Sequence, residues 1–274
     1  MTIVCLNGRY LDEKKAKVSV LDAGFFYGEG IYETLRTKQG KLLNLEGHLA
    51  RLKRSADLVQ IPLPSLKKLS SWLQATVDKN GFWKKGKESR VRLTVSGGVH
   101  GYDAPSKNPT ILITVAPLEE VPKQKRMRGV AAVTYKIDRP LPIAKTTNLL
   151  PSMIARRFMR IKKAYEVFLV DHLGYVTEGS ISNIFMVKRG KLITPKSSAL
   201  PGTTQERILK LARRQKWPLV RRDFKVKELY GAHEVFFTNA PRGVVPVVKV
   251  DGRKIGNGKV GPVTKRAWDA LKAF

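Results

Sequence analysis

Residues 116–128 read Ala-Pro-Leu-Glu-Glu-Val-Pro-Lys-Gln-Lys-Arg-Met-Arg, a polar stretch with two prolines and neither helical nor strand periodicity. Such a stretch interrupts the packing on both sides of it and marks a domain boundary. It divides the 274 residues into blocks 1–120 and 121–274, each large enough to bury its own core. A hydrophobic fraction of 42%, with 22 glycines and 15 prolines, excludes a disordered or collagen-like chain. In the first block Met1–Leu6, the Asn7-Gly8 turn and Arg9–Leu11 form a hairpin pattern. Leu45, Leu49, Leu52, Ala56 and Val59 recur at helical spacing after Asn44, an expected N-cap, and Pro64-Ser65 opens a second helix with Leu66, Leu69, Leu73 and Val77 on one face. Val91, Leu93 and Val95 alternate with polar residues as a half-buried strand, and Ile111–Val115 is another. The second block begins with strand Val130–Tyr135 and then a helix that aligns Ile154, Phe158 and Ile161. Strand Val167–Asp171, the His172–Gly174 turn and a long strand region Tyr175–Val187 follow. This order implies an α+β protein in two lobes.

Lys and Arg number 52 against 22 Asp and Glu, a formal charge of +30. The excess is dispersed in pairs such as Lys84-Lys85, Arg156-Arg157, Lys162-Lys163, Arg213-Arg214 and Arg221-Arg222, and the first fifty residues are nearly neutral. No zinc-finger spacing, RNP-like strand or basic zipper occurs, so the charge implies nonspecific nucleic-acid affinity only. Met1–Leu6 is too short for a signal-peptide core and no apolar run could span a bilayer, so a cytoplasmic protein without membrane contact is expected. The one cysteine, Cys5, cannot form an internal disulfide, and no Cys/His spacing suggests a metal site.

Three features carry chemistry. Lys145 follows apolar Pro142-Ile-Ala and precedes Thr146-Thr147-Asn148. A desolvated lysine becomes the nucleophilic amine that a Schiff base requires; the plainer alternative is one more surface lysine. Glu178 lies in a strand region rich in small hydroxyl residues, where a carboxylate could keep a pyridine nitrogen protonated or could simply sit on a sheet edge. Leu200-Pro-Gly202-Thr203-Thr204-Gln205 opens a helix whose first N–H groups suit a phosphate, and Arg51 borders the apolar face of its own helix, able to reach inward. An ordinary cap and a snorkelling arginine are the alternatives.

In their order along the chain these segments resemble the fold type IV, class IV pyridoxal-phosphate aminotransferase family. The family includes branched-chain aminotransferase, D-amino-acid aminotransferase and aminodeoxychorismate lyase. The resemblance begins at Asn7-Gly8 and Asp22-Ala-Gly-Phe-Phe-Tyr-Gly28-Glu-Gly30-Ile-Tyr32-Glu33-Thr-Leu-Arg36 and runs through His48-Leu-Ala-Arg51-Leu and Lys145-Thr-Thr-Asn148. It continues through Glu178-Gly-Ser-Ile-Ser-Asn183-Ile-Phe185 and ends with Leu192-Ile-Thr194-Pro, Leu200-Pro-Gly202, Phe237-Thr-Asn-Ala240 and Val250-Asp-Gly252.

The resemblance implies a two-lobed fold like that of D-amino-acid aminotransferase, with pyridoxal 5'-phosphate between the lobes and Lys145 carried by the second. Lys145 would form the Schiff base and then shuttle the proton. Glu178 would pair with the pyridine nitrogen. Arg51, Thr203 and Thr204 would hold the phosphate, with a backbone N–H at Ala240 as a later contact. Leu200 would pack on the ring and Tyr32 would line the substrate side. His100 could meet a substrate carboxylate or be a solvated loop residue. Gln205 stands where the family commonly has arginine. The resemblance further implies a homodimer that moves an amino group between an amino acid (D-, or branched-chain L-) and a 2-oxo acid by a ping-pong route. The alternatives are a lyase that releases pyruvate from aminodeoxychorismate and, from another class, a nonenzymatic polyanion-binding protein.

Overall fold

In a computed structural model, which describes residues 1–272, the chain divides into two units. The first comprises Met1–Glu119 together with Ala144–Asn148, and the second the remainder. The main boundary thus falls one residue from the one expected at 120, but the segment that carries Lys145 groups with the first unit and not, as expected, with the second. Backbone hydrogen bonding is the reason. Tyr32 N donates to Lys145 O at 2.9 Å, and Thr147 N donates to Gly30 O at 2.8 Å. Lys145 N donates to Ser55 Oγ at 3.1 Å.

The first unit contains β1 (Ile3–Leu6), β2 (Arg9–Asp12), α1 (Ala23–Phe26), β3 (Gly30–Lys38), β4 (Lys41–Leu42), α2 (Leu45–Val59), α3 (Leu66–Asn80), β5 (Ser89–Ser96) and β6 (Thr110–Pro117). Its strands form an antiparallel sheet in the order β2-β1-β6-β5-β3-β4. The alternation at Val91, Leu93 and Val95 points those side chains onto the apolar faces of α2 and α3, where Leu49, Leu52, Ala56, Leu69, Leu73 and Val77 are buried with them. Each such aliphatic side chain contributes about 2 kcal/mol on burial. Ser65 caps α3 through its hydroxyl, but Asn44 does not cap α2 with its side chain. It takes a left-handed conformation (φ 52°), which asparagine tolerates better than most residues, and its carbonyl accepts from His48 N.

The second unit opens with α4 (Lys123–Arg128) inside the stretch read as aperiodic. None of its residues is buried, so the sequence carries no apolar repeat to reveal it. Then come β7 (Val130–Lys136), α5 (Leu150–Ile161), β8 (Glu166–Val170), β9 (Val176–Gly179), β10 (Asn183–Lys188), β11 (Lys191–Thr194), α6 (Thr203–Arg214), β12 (Leu219–Arg221), α7 (Val226–Tyr230), β13 (Glu234–Asn239), β14 (Gly243–Val250), β15 (Arg253–Lys254) and α8 (Pro262–Lys272). The sheet order is β12-β11-β10-β13-β14-β7-β8-β9, with β15 beside β14.

Apolar side chains of β10 are buried alternately in two cores. Ile184 and Met186 join Phe168, Phe224 and Phe237 on one face, while Phe185 and Val187 join Phe236 and the helical Ile208, Leu209 and Ala212 on the other. Burial on both faces explains why this strand reads as an unbroken apolar run. The expected long strand Tyr175–Val187 is broken between β9 and β10. There the buried Glu166 carboxylate accepts from Ser180 Oγ at 2.7 Å and Ser182 Oγ at 3.0 Å, which folds the chain over Gly179. A Cβ on Gly179 would lie 2.1 Å from Ser182 Oγ, so only glycine fits the turn that follows Glu178.

Candidate active site

In the first unit, antiparallel pairing of β3 with β5 places Tyr32 opposite Thr94. Lys145 Nζ lies 4.6 Å from the centre of the Tyr32 ring, so the structure joins these two predicted residues directly. A second cation, which the sequence did not single out, shares that ring: Arg92 Cζ lies 4.0 Å from its centre. Burial pushes the Arg92 guanidinium below its ordinary pKa, only partly opposed by Tyr32. The available signal was the alternation itself, since Arg92 is out of phase with Val91, Leu93 and Val95 and so leaves the core on the opposite face of β5.

Arg51 turns inward from α2 and is only 5% exposed. Its Nε and Nη2 donate to the two oxygens of Glu33 at 2.8 and 2.7 Å, and His48 Nδ1 approaches Glu33 Oε2 at 2.6 Å. Glu33 points to the same side of β3 as Ile31 and Leu35, both fully buried. A carboxylate in phase with core residues signals a buried partner, and the alternation of β3 carries that signal in the sequence. Burial by itself would raise the Glu33 pKa, but the charge and hydrogen bonds of Arg51, with His48, outweigh it and hold the carboxyl at about 2. Burial pushes the His48 imidazole down, with Glu33 opposing, so the ring is neutral at neutral pH and donates from Nδ1.

A depressed carboxyl pKa stabilises the fold above its unfolded value of 4.5, and that stability is lost as pH falls toward about 2. The contribution is about 3 kcal/mol. Glu33→Gln is therefore expected to flatten the decline of melting temperature below pH 4.5, as followed by scanning calorimetry; an unchanged acid limb would contradict the assignment.

His100 is tied down rather than solvated. Its Nδ1 lies 2.8 Å from Gly101 O and its Nε2 2.8 Å from Glu29 Oε2. The Gly101 carbonyl and then Glu29 raise its pKa, burial opposing.

In the second unit Glu178 is buried at the end of β9 and meets Arg139 through Oε1. Its Oε2 accepts from Leu200 N at 3.1 Å, which brings Glu178 and Leu200 together. Asn183 Nδ2 donates to Leu200 O at 2.7 Å, so Leu200 is fixed by both its amide and its carbonyl. Gly202 caps α6, and a Cβ there would fall 1.8 Å from Asn183 Oδ1. Gln205 is buried, accepting from Gly202 N at 3.2 Å and donating to Thr194 Oγ1 at 3.0 Å. The residue that replaces an expected arginine thus closes the helix start from within. Thr203 and Thr204 form the first turn of α6, where the leading N–H groups lack intrahelical acceptors. Ala240 follows β13 in a turn where Asn239 Oδ1 accepts from Arg242 N at 2.8 Å, and Asn239 Nδ2 donates to Ile181 O at 3.4 Å. That bond ties the Ala240 turn to the one after Glu178.

The first unit offers a primary amine beside an aromatic ring. The second offers, by itself, a buried carboxylate and a glycine-opened helix start with two threonine hydroxyls.

Comparison with known proteins points the same way. The family model described as amino-transferase class IV matches residues 30–250. A putative branched-chain-amino-acid aminotransferase of Methanocaldococcus jannaschii is 35% identical over 98% of this chain and 95% of its own length. A D-alanine aminotransferase of Staphylococcus haemolyticus is 31% identical, covering 100% of this chain and 98% of its own. The solved branched-chain amino acid aminotransferase of Escherichia coli superposes with a TM-score of 0.91 at 27% identity, over 100% of this chain and 94% of that one.

Proposed function

This chain belongs to the class IV aminotransferase family, enzymes that use pyridoxal 5'-phosphate, and on that footing we propose that it moves an amino group between an amino acid and a 2-oxo acid by a ping-pong route. The observation that carries the reading is Lys145, whose backbone is pinned to Tyr32 and Ser55 while its amine rests beside the Tyr32 ring. Pyridoxal phosphate, when bound, supplies a conjugated ring that accepts the electron pair released at the substrate Cα. Lys145 Nζ would take the proton from the substrate Cα and hold it for return, working from a main chain bonded to Tyr32 and Ser55. Glu178 would set its carboxylate against the pyridine nitrogen and keep that nitrogen protonated. Arg51, Thr203, Thr204 and the Ala240 N–H would hold the phosphate, and Leu200 would pack on the ring. Tyr32 would line the substrate side, whereas both ring nitrogens of His100 are engaged by Gly101 and Glu29, so His100 would reach a substrate carboxylate only by giving up one of those bonds.

The amino donor is a D-amino acid or a branched-chain L-amino acid, the two classes named among the relatives. Support for a homodimer comes from an exposed apolar group around α1, with Phe25 78% and Tyr102 80% exposed beside Val20, Leu21, Phe26 and Val99. No helix among the described residues is long and apolar enough to cross a membrane, in keeping with a cytoplasmic enzyme. The +30 charge draws anionic ligands and gives salt-dependent, nonspecific nucleic-acid binding.

A panel of single D- and L-amino acids added to the yellow holoenzyme tests the function. Bleaching by one stereochemical class, without a second substrate, is the expected result. Inertness to every amino acid, with pyruvate released from aminodeoxychorismate, would establish the lyase instead. A colourless, cofactor-indifferent protein would exclude both.

A further inference from the structure

We propose that Glu33 is a positioning residue whose fork on Arg51, braced by His48, sets the orientation in which that guanidinium grips the cofactor phosphate. The inference rests on the assignment of Arg51 to the phosphate and adds to it the device that makes the grip rigid.

The geometry is that of a side-on pair. Glu33 takes the edge of the guanidinium formed by Nε and Nη2, at 2.8 and 2.7 Å. Two parallel bonds fix the plane of the group as well as its position. An arginine otherwise gives up rotamer freedom when it is immobilised, and a side chain already held in the free protein does not lose it again on binding. His48 supplies the third bond, at 2.6 Å to Glu33 Oε2, and keeps the carboxylate from swinging out of the plane of the fork. Because burial keeps the imidazole neutral at neutral pH, it braces the carboxylate without adding charge beside Arg51.

Stability alone does not account for this arrangement. Glu33 is 0% exposed between Ile31 and Leu35 on the core-facing side of β3, where an aliphatic residue would pack without desolvation cost. Replacing a buried ion pair by well-packed apolar groups is often neutral or stabilising. The triad therefore marks a requirement for a directed guanidinium.

Its placement agrees. Glu33 follows Tyr32, whose ring faces Lys145 from the other side of the strand. Arg51 precedes by one helical turn Ser55, which accepts from Lys145 N at 3.1 Å. One strand and one helix thus hold both the amine that reacts and the cation that anchors.

Comparing pyridoxal phosphate with pyridoxal isolates the phosphate term. The apo form of the full chain is titrated with each by fluorescence quenching, for wild type, Glu33→Gln and Arg51→Gln. Glu33→Gln is expected to weaken pyridoxal phosphate about tenfold, with pyridoxal changed less than about twofold. If Glu33→Gln does not fold, Glu33→Asp, which keeps the charge on a shorter arm, must show a phosphate preference between wild type and Arg51→Gln. Equal weakening of both ligands, or of neither, overturns the proposal and leaves Glu33 a structural residue. An undiminished phosphate preference in Arg51→Gln overturns the underlying assignment of Arg51 instead, so the two failures are distinct.

Discussion

Replacing Lys145 by alanine is expected to lower transamination by more than about a thousandfold while shifting the melting temperature by no more than about 2 °C. The separation follows from how residue 145 is held. Its carbonyl accepts from Tyr32 N and its amide donates to Ser55 Oγ. Both bonds belong to the main chain and survive truncation of the side chain. The apolar anchor is the neighbouring Ala144, fully buried, whereas Lys145 itself is half-exposed. What the substitution removes is the amine that carries the proton. Stopped-flow absorbance with a single amino acid reads the chemical loss and calorimetry reads the fold. Turnover at the wild-type rate would falsify the assignment of Lys145.

The second large effect concerns Glu178. Glu178→Gln keeps the shape of the side chain and an oxygen for Leu200 N, so the loop from Leu200 to Gly202 stays in place. It removes the negative charge that Arg139 and a ring nitrogen would share. Removal of the Cα proton should slow by about a hundredfold or more, because the ring loses its protonated nitrogen as an electron sink. Cofactor affinity should fall by less than about tenfold, since the phosphate contacts remain. Single-turnover rates measured beside cofactor dissociation constants separate the two. Weak binding with unhindered proton removal would reverse the assignment.

Period and order made much of the fold legible. The helical repeat at Leu45, Leu49, Leu52, Ala56 and Val59 and the alternation at Val91, Leu93 and Val95 became α2 and β5 because each buries a single face. α4 was invisible because it buries nothing, and the break before β10 because its cause is Glu166, distant in sequence from the serines it gathers. At the site, Lys145 and Glu178 could be picked out by local context and by the family pattern around them. Glu33 and Arg92 left only a phase signal, one in step with the core residues of β3 and the other out of step with those of β5, because the meaning of each comes from a partner on another element: Arg51 on α2 and Tyr32 on β3. Gln205 read as a departure from the family pattern; in the fold it is the buried residue that closes the start of α6.

The grouping of Ala144–Asn148 with Met1–Glu119 has a consequence for dissection of the protein. A fragment ending at the main boundary keeps the docking strand but has no lysine to dock. The complementary fragment keeps the lysine on five residues stripped of Tyr32, Gly30 and Ser55. Neither half can carry a formed nucleophile. Mixing the two would restore it only by reassociation, because Tyr32, Gly30 and Ser55, which bond the five-residue strap, lie within Met1–Glu119.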